Sequence, residues 1–139
     1  MATLAGIERQ LPNGFHDAAI RSCTLDFVTR TVSFAIDIWV GDLESVDESQ
    51  RERYQPARLA IAGLAFFHIE APDPTYPFQD RKPLRVDLCE PVASPIGNAT
   101  SGSAFQARIY VSNWNSFIHF AADTATLEWV DAATVSEAG

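Results

Sequence analysis

The chain has 139 residues, 47% hydrophobic and 20% charged, a balance that fits one globular domain and excludes wholesale disorder. Ten basic residues against eighteen acidic ones leave a net charge of −8, and the longest cationic run is Arg81-Lys82, which argues against nucleic acid or an anionic membrane as partner. No apolar run reaches the roughly 18–20 residues of a spanning helix, and Met1 to Glu8 lacks the pattern of a signal peptide, so a cytoplasmic location is expected.

The first ten residues are expected to fray. Leu11-Pro-Asn-Gly14 is a turn signal, and Ala18 to Thr29 follows as a strand with Cys23, Leu25 and Phe27 on one face. Val32, Phe34, Ile36, Ile38 and Val40 then occupy every second position, the mark of a half-buried strand. Leu43 to Gln55 is charged and predicts at most a short exposed helix over Ser49–Arg53. Arg58 to Glu70 is apolar on both faces; its Phe66-Phe67 pair and Gly63 favour a long strand bulged at the glycine, while its alanines favour a helix. Pro72, Pro74, Pro77 and Pro83 make the next segment a loop.

Leu84, Val86 and Leu88 alternate with Arg85 and Asp87 as another short strand, and Pro91 to Ser103 reads as a second loop. Phe105–Val111 and Ser116–Ala122 are strands joined by a hairpin turn at Ser112–Asn115, and Thr126–Val130 is the last strand. The tail from residue 131 to 139 is small and polar and is expected to fray. Turns every few residues and the lack of long amphipathic helices predict an all-β domain over residues 1–139. Its form would be an antiparallel β-sandwich or partly closed barrel of about seven strands, with at most one short helix. Cys23 and Cys89 lie in apolar stretches without metal-ligand spacing and are expected to be buried, reduced thiols.

The chemistry is sparse. There is no nucleophile elbow, no phosphate-binding glycine loop and no His-Glu-x-x-His, so no catalytic residue and no cofactor are expected. His68 and Glu70, two apart on a strand, would point to one face; with His119 they form the alternative reading, a metal or His/carboxylate site. The candidate binding residues are instead Trp39, Asp37, Tyr110, Trp114 and Tyr76. Trp39 and Asp37 share the wet register of the clearest strand, Tyr110 lies on the wet side of Phe105–Val111, Trp114 falls in the hairpin turn, and Tyr76 in the proline-rich loop. Large aromatics outside the core register are what binding surfaces use.

Leu11-Pro-Asn-Gly-Phe15-His-Asp-Ala18 with the strands that follow, over roughly Leu11 to Asp42, resembles small bacterial all-β proteins of unknown function, some grouped with immunity proteins of toxin systems. One Lys beside nine Arg also points to a GC-rich bacterial source. The resemblance implies an all-β fold. The function expected is non-catalytic: a domain that binds a protein partner or itself as a homodimer, with an immunity-like inhibitor as one version. The alternative is a small β-barrel enzyme or ligand carrier built on the histidines.

Overall fold

The computed structural model describes residues 3–91 and 104–130. Two short helices, α1 (Leu4–Gln10) and α2 (Glu48–Arg51), accompany eight strands. The strands are β1 (Ala19–Asp26), β2 (Thr31–Trp39), β3 (Tyr54–Ala62), β4 (Phe66–Ile69), β5 (Leu84–Pro91), β6 (Phe105–Val111), β7 (Ser116–Ala122) and β8 (Thr124–Trp129). All neighbours pair antiparallel, in the order β4-β7-β6-β5-β1-β2-β3-β8, which leaves the sheet unclosed. The fold is all-β, with one strand more than the sequence alone indicates, because Arg58–Glu70 divides into β3 and β4.

That division is the corner of the molecule. β3 bends at Gly63 into β4, and β7 passes through Asp123 into β8. The two bent strands remain paired through the bend: the Asp123 N–H donates to Ala62 C=O at 3.1 Å, and the Ala65 N–H to Ala121 C=O at 2.8 Å. Gly63 has φ +68°, and a Cβ there would lie 2.4 Å from Asp123 Oδ2, so both the turn and the close approach require glycine.

The bend brings the two ends of the sheet face to face. Val32, Phe34, Ile36 and Ile38 of β2 are buried, as their alternation demands, while Val40 just beyond is half-buried. Phe34 meets Phe67 of β4 and Phe120 of β7 with ring centroids 6.3 and 6.5 Å away, so the core lies between the halves. Each such ring, fully buried, contributes about 1.5–3 kcal/mol.

Four expectations are corrected. The amino-terminal segment is not frayed from residue 4 onward: it is α1, capped by Thr3 Oγ1, which accepts the Gly6 N–H, and it inserts Leu4 and Ile7 into the core. With α2, which is the expected exposed helix shifted by a residue or two, the described residues hold two short helices rather than one. Both cysteines are free, but Cys23 is exposed, because β1 beyond Ile20 runs along an open edge, and Cys89 is half-buried. Trp114 is 5% exposed and belongs to the core, its ring edge-on to Phe78 at 4.6 Å, because the loop after β4 folds over the hairpin turn. The loop expected over 91–103, apart from Pro91 at the end of β5, and the tail expected over 131–139 lie outside the described residues.

The motif that carries the family resemblance is a structural fixture here. The Asn13 Nδ2 donates to the carbonyls of Trp39 and Gly41, at 3.2 and 2.9 Å, tying the turn to the end of β2. Phe15 beside it is buried.

Candidate functional site

The sequence-derived candidates do not form one site. Asp37 and Trp39 share the outer face of β2. Asp37 is paired with Arg21 at 3.2 Å, and the Trp39 indole N–H donates to Arg51 C=O at 2.7 Å beneath the loop that follows β2. That contact needs Gly41, since a Cβ there would lie 1.9 Å from the same Arg51 oxygen. Trp39 is thus partly covered within its own chain. Trp114 is in the core, and Tyr76 is exposed in the proline-rich loop.

Tyr110, by contrast, belongs to an organised surface. Antiparallel pairing sets residues side by side across the outer face of β5, β6, β7 and β4. One row runs Glu90, Arg108, His119, His68, and the next runs Leu88, Tyr110, Phe117. Alternation along β6 puts Arg108 on the same side as Tyr110. Leu88, expected on the face of Leu84 and Val86, is corrected: a register shift between Val86 and Leu88 turns it outward, while Phe117 and Glu90 had no signal of their own, since the partners they face are set by register alone.

The polar groups on this face hold one another. Arg108 Nε donates to Glu90 Oε1, and its guanidinium carbon lies 4.5 Å from the centre of the Phe117 ring, a cation–π contact. The Tyr110 hydroxyl donates to Asn115 Oδ1 at 2.6 Å, and Asn115 Nδ2 donates to Asp73 Oδ2 at 3.2 Å, fastening the loop after β4 to the hairpin. Tyr110 also packs on Phe117 with centroids 5.1 Å apart.

The structure does bring His68, Glu70 and His119 together. The histidines are directly opposed on β4 and β7, their rings edge to face with centroids 5.6 Å apart. Glu70 lies just beyond β4; its Oε2 is 2.7 Å from His119 Nε2, and its Oε1 accepts the Phe117 N–H at 3.0 Å. An ionised carboxylate only accepts, so Nε2 carries the hydrogen. The His119 hydrogen bond, with the Phe117 N–H and the nearby imidazoles adding to it, holds the Glu70 carboxyl below its ordinary range. Among the described residues, no three His, Cys, Asp or Glu side chains are disposed to hold a metal ion.

A cavity of about 140 Å³ lies under α1, lined by Leu4, Glu8, Cys89, Phe105 and Ala107 among others. Burial, with Glu8 and Glu90 nearby, pushes the Cys89 thiol far up, which keeps it protonated and a poor nucleophile.

No family model matches the chain, and no curated protein or solved structure is significantly similar to it. No helix among the described residues is long and apolar enough to cross a membrane.

Proposed function

We propose that this is a non-catalytic domain that docks a basic protein partner on the outer face of β4–β7, in the manner of an immunity-like inhibitor. The observation that carries the reading is the composition of that face. Leu88 is 44% exposed, and Tyr110 and Phe117 sit beside it, half-buried on their own neighbours. Glu70 at the Phe117 N–H, Asp73 through Asn115 and Glu90 through Arg108 stand around these rings, three carboxylates to the one cation, Arg108. An apolar centre with an acidic rim fits a basic surface, and the net charge of −8 would speed encounter with it. The hydrogen bonds that already fix Tyr110, Arg108 and Glu90 lower the ordering cost of binding.

The test is affinity capture from cells of the source organism at low salt, with mass-spectrometric identification and calorimetry on the purified partner. A basic protein is expected, bound at least about tenfold more weakly by Leu88→Arg and by Tyr110→Ala, since about 1.4 kcal/mol is a factor of ten. Equal affinity for native chain and both variants would exclude this face.

A second reading has one observation in its favour, the convergence of His119 with Glu70 and His68, which could serve general acid–base chemistry on a small molecule. It differs in what it requires of His119: His119→Gln would abolish turnover under this reading, and leave partner affinity within a few-fold under the first.

A further inference from the structure

Among the described residues the sheet ends at β4 and β8 and opens again where β1 parts from β5, and these edges are not equally protected. β4 is four residues long and runs out toward Pro72. β8 has α1 packed against it. β1 is different: it pairs with β2 as far as Asp26, but with β5 only through Ala19 and Ile20. Among the described residues, Ser22 to Asp26 is therefore paired with one strand only. Edge strands are normally blunted by charge, proline or a bulge. The irregularity at Arg21 precedes this stretch, and Ser22-Cys23-Thr24-Leu25 contains neither charge nor proline. Its far end is held in a fixed turn, with Asp26 Oδ1 accepting the Val28 and Thr29 N–H groups, and that turn presents Phe27 and Val28 at 82% and 93% exposure.

We propose that two copies of the chain join along this edge, β1 to β1, antiparallel about a two-fold axis. Such an axis must pass through a residue paired with its own copy. The incoming strand must also clear β5, which already occupies the edge at Ala19 and Ile20. The register centred on Thr24 does both. It sets Thr24 opposite Thr24, Cys23 opposite Leu25 and Ser22 opposite Asp26.

Charge favours a second copy as the occupant. Asp26, the one charged residue in the paired stretch, meets a serine hydroxyl and not another carboxylate. Leu84 pairs with Ile20, so the loop just before Leu84 marks the same end of the edge. That loop carries exposed Arg81, paired with Asp80 at 3.6 Å, and beside it exposed Lys82, the cation that meets Asp26 of the other copy where it arrives. Phe27 and Val28 of each copy are carried toward the Pro83–Leu84 end of the other, which removes them from water. This surface is separate from the β4–β7 face, so a dimer leaves that face free.

Light scattering on the full chain at micromolar concentration should give twice the 15.3 kDa chain mass. Thr24 is exposed, so Thr24→Lys should leave the circular dichroism spectrum unchanged, and also the melting temperature at dilutions where the native chain is itself dissociated, while it sets two ammonium groups opposite each other. That variant should be a monomer at micromolar concentration. Thr24→Cys in a Cys23→Ser background should form an interchain disulfide under mild oxidation when folded, and not in denaturant. A native chain that is monomeric throughout, or a dimer that persists in Thr24→Lys, overturns the proposal. Should Thr24→Lys fail to fold, failure of the cysteine variant to cross-link overturns it equally.

Discussion

Glu70 couples the outer face to pH. Its folded-state pKa is depressed, first by the His119 hydrogen bond, so the folded state holds its proton less tightly than the unfolded chain does. A depressed carboxyl contributes stability that is fully present above the unfolded value, about 4.3, and is lost as pH falls through the folded one. Glu70→Gln keeps an acceptor and removes the charge. Urea midpoints of native and variant should therefore differ most near neutral pH, with the native higher, and converge toward pH 3. A gap that widens on acidification would contradict the assigned sign. Glu8 makes the paired comparison necessary, because burial raises its carboxyl and so its contribution runs the other way with pH. Gly63 sets a second test at this scale. Gly63→Ala places a side chain at positive φ and against the Asp123 carboxylate, and should lower stability by about 1–3 kcal/mol in chemical denaturation. The sequence marked Gly63 as a break in a strand. It could not show that Asp123, sixty positions on, was the group pressed against it, because that contact exists only once β3 and β8 are paired.

Among the elements, β2 was the most legible, since one strongly periodic strand with one buried face needs no knowledge of its partners. Phe34→Ala should cost about 3–5 kcal/mol, because the ring fills the space between Phe67 and Phe120. A denaturation midpoint equal to that of the native chain would overturn its place in the core. Helix α1 was illegible for the opposite reason. Seven residues with two core side chains, Leu4 and Ile7, give too short a pattern to stand out, and the helix forms because an apolar surface awaits it. The candidate site was half legible. His68 and Glu70 were read as sharing a face from their spacing, and His119 joins them only because β7 happens to pair with β4 in that register. Trp114 misled because a turn residue reads as exposed until the loop from Asp73 to Phe78 is known to cover it.

At the scale of the whole molecule, the excess of carboxylates acts against compactness. Eighteen acidic and ten basic groups are closer together when folded than in the expanded chain, so their net repulsion is larger in the native state. The ion pairs between side chains, such as Arg21 with Asp37 and Arg108 with Glu90, work in the other direction, but both are partly exposed and each is worth little. Salt weakens both effects. The Debye length falls from about 30 Å at 0.01 M to about 3 Å at 1 M, so the many distant repulsions are screened well before the few close contacts. Repulsion summed over a net −8 should therefore dominate the response. Raising sodium chloride from about 0.02 M to about 0.5 M should increase the urea midpoint at pH 7, measured well below the concentration at which the chain associates. The same change at a pH near the sequence pI of 4.7, where the net charge vanishes, should move the midpoint far less. A midpoint that falls with salt at pH 7 would mean that specific ion pairs, and not the net charge, govern the electrostatic part of its stability.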